Sequence, residues 1–471
     1  MVRRTRLLAL VTLATINVIT LVGGIAVALM LPGRLAALRI PSVATGHVTV
    51  AGPVLRAGPA GPLPTASGLG SVLSGPLSSG QLGPDVYAIV TDPRTGQVLY
   101  SRDALQSATP ASTAKLATAT AALATLGESA RFTTRVLSPR PGQIILVGGG
   151  DPVLAVNPYP AGDYPQPATL ADLAASTARA LKASGTTSVQ LGYDSSLYSG
   201  PGLAPGWPAS YVTTGNVTDI VPLEVDQGRL NAAGNPEDSD DAGNFQPRAA
   251  HPAQMAADSF AALLSADGIK VSGPPSARTA PAGASALASV SSPPLSAIVE
   301  QMLAESNNVI AENLARHIAL ATGHPATFAG GAAAVTAELR KLGVSTSFAM
   351  VDGSGLSPDD AIAPATLAKV LQVVVERPEL RTLLAGLPVA GFSGTLAPGG
   401  SVFGGIDGTA LGMIRAKTGN LASVASLAGV AYDKDGTLLA FAFMADRATS
   451  LDGAASAIDD AAAELAGCGC R

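Results

Sequence analysis

The β-forming runs of this 471-residue chain lie toward its two ends, and nothing else constrains its fold as strongly. Val86–Thr91 and Gln97–Tyr100 flank "DPRTG", the turn signal of a hairpin. More than 300 residues later, "GMIRAKTGN", "ASLAGVAYD" and "TLLAFAFMA" read as three successive strands, and a last helix is expected over Ser450–Ala466. Helical patterns fill much of the interval: "TAKLATATAALATL" up to Gly127, Ala253–Ala266, Pro294–Thr322, Ala332–Lys341 and Pro364–Arg377. Strands from both ends then share one sheet, so the expectation is a composite α+β domain, a central antiparallel sheet flanked by helices. Between its halves, "GQIILVGGGDPVL" and Ser188–Tyr193 read as strands and Ala168–Ala183 as a helix, which makes an inserted α/β subdomain. The division is 85–131 and 294–466 for the composite domain, 132–293 for the insertion and 467–471 for a Cys-containing tail.

The front of the chain predicts an export device. Arg3, Arg4 and Arg6, in a short cytoplasmic tail (1–6), precede an uncharged apolar run from Leu7 to Leu31, long enough for a helix that crosses a bilayer. That run (7–31) reads as a transmembrane anchor, or as a signal-like helix cleaved after Ala26-Val27-Ala28, with the catalytic part outside the cytoplasm either way. Residues 32–84 are rich in Pro, Gly, Ala and Ser and read as a linker. A net charge of −5 with 13% charged residues gives no basic face for nucleic acid. Cys468 and Cys470 stand too close for an unstrained disulfide and have no catalytic role in this reading. The four histidines have no ligand spacing, and the glycines of "GGGDP" open no dinucleotide fingerprint, so neither metal nor cofactor is expected.

Chemistry concentrates in three short segments. Ser112 and Lys115 stand three residues apart, on one helical face, just after Pro110. A serine hydroxyl needs a base, and a lysine serves as one only when its pKa falls by roughly three units, ~4 kcal/mol. Burial and a second nearby cation would do this, and Lys417 is the candidate cation. In Lys417-Thr418-Gly419, cation and hydroxyl suit a substrate carboxylate, and glycine on an edge strand lets a substrate backbone approach. Ser306 and Asn308 supply a proton relay and an amide that both donates and accepts. Only seven lysines occur, and of these only Lys115 follows a serine by three and only Lys417 opens K-T-G.

Ser112-x-x-Lys115, Ser306-x-Asn308 and Lys417-Thr418-Gly419 together resemble the active-site set of penicillin-binding proteins and serine β-lactamases. The wider context resembles the D-alanyl-D-alanine carboxypeptidase/endopeptidases of the low-molecular-mass class C group. It rests on "GGGDP" (148–152), the "DSSLY" and "APGW" segments within 194–207, "ESNN…AENLAR" (305–316), "DGSGLS" (352–357) and "GTL" (394–396).

The resemblance implies a β-lactamase/transpeptidase-like fold. It implies a serine D,D-peptidase acting on peptidoglycan stem peptides through a Ser112 acyl-enzyme and inhibited by β-lactams, with no cofactor. Lys115 would be the base, Ser306 the relay to the departing D-Ala, and Asn308 the residue that positions Lys115 and the substrate amide. Lys417 and Thr418 would hold the terminal carboxylate. The N–H groups of Ser112 and Asn420 would form the oxyanion hole. Gly419 and the "DGSGLS" residues Asp352 and Ser354 would line the cleft. Asn420 stands where the family often has Thr, and the second motif reads Ser-Asn-Asn where Ser-Asp-Asn is common. A β-lactamase or esterase reaction on the same fold, or a silent wall-binding scaffold, are the alternatives. His317 is expected to be packed or exposed, not catalytic, and Trp207 to anchor the insertion.

Overall fold

The structure, a computed structural model, describes residues 61–236, 246–345 and 347–471. The expected anchor at Leu7–Leu31 lies outside the described residues, as does the first part of the expected linker. Among the described residues no helix is long and apolar enough to cross a membrane.

The linker expectation fails over residues 61–84. Helix α1 (Ala66–Leu73) forms there, with the Thr65 side chain accepting from Gly68 N as its cap. Leu69, Leu73, Leu77 and Leu82 recur every four or five residues and are all buried. Bulk composition hides this stripe among small residues. Strands β1 (Asp85–Thr91) and β2 (Val98–Arg102) form the hairpin, its turn held by Asp92, which accepts from Arg94 N and Thr95 Oγ1. A 3₁₀ turn over Ala111–Ala114 leads into α2 (Lys115–Leu126), which ends at Gly127.

The insertion carries β3 (Thr133–Arg140), β4 (Gln143–Val147), α3 (Leu170–Ala183), β5 (Ser188–Asp194), α4 (Pro252–Ala266) and β6 (Ser285–Ser291). β3 pairs antiparallel with β4 and β6, while β4 and β5 run parallel. Leu173 and Phe260 bring α3 and α4 into the core of this sheet. β3 and β6 are missed by periodicity because "TTRVLSPR" and "SALASVS" carry few large apolar residues to alternate.

Helices α5 (Leu295–Ala304), α6 (Asn308–Ala321), α7 (Phe328–Lys341) and α8 (Pro364–Glu376) follow, then β7 (Ile414–Leu421), β8 (Val424–Tyr432), β9 (Leu438–Asp446) and α9 (Leu451–Gly467). The single helix expected over Pro294–Thr322 is two, because Ser306 adopts a left-handed conformation (φ 59°) between them. The main sheet has the order β7-β8-β9-β1-β2 and is antiparallel throughout. The two ends of the chain meet where Asp85 to Thr91 pair with Asp446 back to Ala440. Both faces of β9 are covered, which is why it reads as an unbroken apolar run. Ala440, Ala442 and Met444 join the core with α2, α6 and α8; Phe441, Phe443 and Ala445 join a second core with α1 and α9.

The C-terminal residues are not a free tail. Cys468 is buried and bonded to Cys470, and Thr65 N donates to Cys470 O at 2.7 Å, so both chain segments close on the second core. Deleting part of a fully buried leucine costs about 2–5 kcal/mol. Leu73→Ala is therefore expected to lower unfolding free energy by about that much, measured by denaturant titration. A change under ~0.5 kcal/mol would mean that α1 does not belong to the core.

Candidate active site

The nucleophile turn is tighter than the sequence suggests. Ser112 lies in the 3₁₀ segment that precedes α2, where side chains three apart eclipse. Ala111, left-handed at φ 47°, swings the chain into it. Lys115 Nζ consequently sits 2.9 Å from Ser112 Oγ, and it also donates to Asn308 Oδ1 at 2.6 Å and Ser354 O at 2.8 Å. The last two partners are acceptors only. A neutral amine has two hydrogens and one lone pair. Both hydrogens are then engaged, and the lone pair faces the serine hydroxyl.

Electrostatics agree with that count. Lys115 is completely buried, and burial lowers its pKa to about 7 against the opposing pull of Asp352, Glu312 and Asp360. Burial and the nearness of Asp352 push Glu312 up to about 8 and Asp360 up to about 9. These two acids are thus mostly uncharged at neutral pH and hold the proton on Lys115 weakly. The expectation that the second cation tunes Lys115 needs correction: burial is the main cause. Burial also holds Lys417 well below its ordinary value, and there repulsion from Lys115 adds to it.

The second motif is oriented by the residue between its two functional members. Asn307 caps α6 by accepting from Ile310 N at 3.1 Å, which frees Ser306 and Asn308 from capping. Asn308 Nδ2 donates to Asn216 O of the insertion at 2.9 Å, which fixes the amide so that Oδ1 faces Lys115. Ser306 Oγ accepts from Lys417 Nζ at 2.9 Å.

Lys417 departs from its expected place. It is wholly buried and donates to Ser306 Oγ and Thr418 O, so its charge lies behind the cleft wall. Ser112, Ser306, Asn308, Thr418 and Asn420 line a cleft of about 420 Å³. Gly419 is buried and its role also shifts. A Cβ there would come within 2.3 Å of Ser426 Oγ and 3.0 Å of Ser112 N, so the glycine lets β7 close on the nucleophile turn.

Asp352 and Ser354 do not line the cleft. Both are fully buried behind Lys115, where Asp352 collects the N–H groups of Ser354, Gly355 and Ser357 and the Trp207 indole at 2.7–3.0 Å. The loop so formed presents Ser354 O to Lys115, and Leu356 is its residue on the cleft. Trp207 thereby ties the insertion to the catalytic domain. His317 stacks on Phe132 at 3.9 Å and contacts Gly150 O; burial lowers its pKa to about 4.

The sequence matches the D-Ala-D-Ala carboxypeptidase 3 (S13) family over residues 71–246 and 225–466. The chain belongs to that family. It is 36% identical over 449 residues to a carboxypeptidase of Mycobacterium tuberculosis, with 93% of this chain and 92% of that one covered. It is also 36% identical over 423 residues to carboxypeptidase DacB of Mycolicibacterium smegmatis, covering 87% and 86%. The crystal structure of penicillin binding protein 4 from Haemophilus influenzae superimposes with a TM-score of 0.67 at 22% identity, covering 86% of this chain and 98% of that one. The α+β, transpeptidase-like fold expected from the sequence is the one observed.

Some residues of this family member's site carry no local signal. Asn216 contributes a backbone carbonyl, which no motif encodes. Tyr211 and Arg229 reach the cleft from the insertion, and the Arg229 Nε is buried with no partner among the described residues. Thr395 stands in the "GTL" turn, and its hydroxyl accepts from Thr418 Oγ1 at 2.7 Å.

A base that works only when deprotonated gives a rate that rises with pH through its pKa. Acylation of Ser112 by a fluorescent penicillin is expected to climb between about pH 6 and 8, with an apparent pKa near 7. A profile flat across that range would contradict this assignment of the base.

Proposed function

We propose that this protein is a serine D,D-peptidase that removes the terminal D-Ala from peptidoglycan stem peptides, and that it does so outside the cytoplasm. One observation carries the reading: Lys115, fully buried, contacts Ser112 Oγ and Asn308 Oδ1 while Lys417 contacts Ser306 Oγ in the same cleft. Membership of the S13 family supports the substrate class.

Ser112 Oγ attacks the carbonyl carbon of the penultimate D-Ala, and its proton passes to the Lys115 lone pair. The N–H groups of Ser112 and Asn420 receive the developing oxyanion, and loss of one such donor typically costs about 3–4 kcal/mol. Collapse breaks the C–N bond, and the leaving amine takes a proton from the Ser306 hydroxyl, which takes one in turn from Lys417; the proton that Lys115 gained from Ser112 passes to Lys417, which leaves Lys115 neutral for the second step. The terminal carboxylate lies against the wall that carries Thr418, with Lys417 behind it. Water then attacks the ester, Lys115 again accepting the proton, and Ser112 is regenerated. β-Lactams enter the same first step, so a long-lived Ser112 acyl-enzyme is part of the proposal. Export rests on Arg3, Arg4, Arg6 and the apolar run Leu7–Leu31, which also suit a membrane anchor.

The full chain, incubated with a peptide ending in D-Ala-D-Ala and with fluorescent penicillin, is expected to release D-Ala and to keep a durable label. Ser112→Ala should lose both by more than about a thousandfold. Rapid turnover of the penicillin without D-Ala release would instead make it a β-lactamase, and absence of any label would leave a wall-binding scaffold.

A further inference from the structure

Beside the threonine of K-T-G, the cleft wall holds a hydroxyl that the three motifs do not contain. Thr395 lines the cleft beside Thr418 and Asn420, only 9% exposed. Thr418 Oγ1 donates its single proton to Thr395 Oγ1 at 2.7 Å. Among the described residues the proton of Thr395 itself has no acceptor. The outermost donor of this pair is therefore Thr395, not the threonine of K-T-G.

Its placement is rigid from three sides. Thr395 O accepts from Ser401 Oγ at 2.9 Å. Gly394, left-handed at φ 55°, lies so close to α5 that a Cβ there would come within 2.5 Å of Ala304 O, two residues before Ser306. The following loop is pinned by buried Phe403 and by Asp459 of α9, whose Oδ2 accepts from Gly404 N at 3.0 Å and Gly405 N at 2.9 Å. Two chain segments distant in sequence are thus used to hold one small hydroxyl at the cleft. Lys417, by contrast, is wholly buried, with its amine directed at Ser306 and Thr418 O. A carboxylate arriving at this wall meets hydroxyls first and feels the cation from behind.

We infer that Thr395 is a specificity-determining residue that donates a hydrogen bond to the C-terminal carboxylate of the substrate, with Thr418 donating to Thr395 in turn. A hydroxyl that receives one hydrogen bond donates a stronger one, so the ordered pair binds an anion better than either threonine alone. The bond exists in the ground state as well as in the transition state, so its loss falls mainly on KM. The inference rests on the peptidase reading above.

Thr395→Val keeps the shape and removes the hydroxyl. For a peptide ending in D-Ala-D-Ala with a free carboxylate, the variant is expected to raise KM about tenfold and to change kcat less than about threefold. For the same peptide as its C-terminal amide, wild type and variant should agree within about twofold, and Thr395→Ser should restore the wild-type KM for the acid. An unchanged KM for the acid, or an equal loss on acid and amide, overturns the inference. Should Thr395→Val not fold, Thr395→Ala carries the same comparison. An active wild type with an unmoved variant refutes this role alone, whereas a wild type that releases no D-Ala refutes the peptidase reading and this inference together.

Discussion

The site depends on the complete burial of one ammonium-bearing side chain. Removing Lys115 from water makes its charged form costly, and the neutral form finds two acceptors and one hydroxyl at hydrogen-bond distance. Each partner comes from a different part of the chain. Ser112 belongs to the turn before α2, Asn308 to the start of α6 and Ser354 to the loop that Asp352 gathers. The fold serves to bring those parts to one nitrogen, and the main sheet does so by pairing strands some 350 residues apart, as in Asp85 with Asp446.

The second lysine does different work. Lys417 is also buried, yet its partners are Ser306 Oγ and the carbonyl of its neighbour, Thr418. Its amine stays behind the wall and reaches the cleft only through Ser306, while the hydroxyls of Thr395 and Thr418 line the cleft itself. This arrangement separates charge from contact. On the proposed reading, an anionic substrate would meet hydroxyls whose positions are fixed by backbone and packing before it meets the amine behind them. The insertion participates as well, since Asn216 sets the Asn308 amide and Trp207 holds the loop behind Lys115.

Much of this was legible in the sequence, because the reacting groups sit in short motifs with unusual residues. Lys115 and Lys417 stood out through the scarcity of lysine, and the β9 run read as a strand. Other features had no such signal. The α1 stripe of Leu69, Leu73, Leu77 and Leu82 was diluted by glycine and proline, so composition pointed to a linker. β3 and β6 lacked large apolar residues. The break at Ser306 requires a left-handed serine, which propensity does not anticipate. Asp352 and Ser354 were read as cleft residues from their motif, whereas burial makes them supports for Lys115. Asn216 acts through a tertiary contact with Asn308 that no local pattern encodes, and the "GTL" segment marked Thr395 without encoding its contact with Thr418.

The central claim is that Lys115 titrates near neutrality in the free enzyme, so that a substantial fraction is the neutral amine. With only seven lysines in the chain, NMR titration of isotopically labelled lysine side chains, assigned with Lys115→Arg, reads this directly. The account predicts one resonance, lost in the variant, that titrates near pH 7. A Lys115 signal that titrates near the ordinary lysine value of about 10.4 would contradict it.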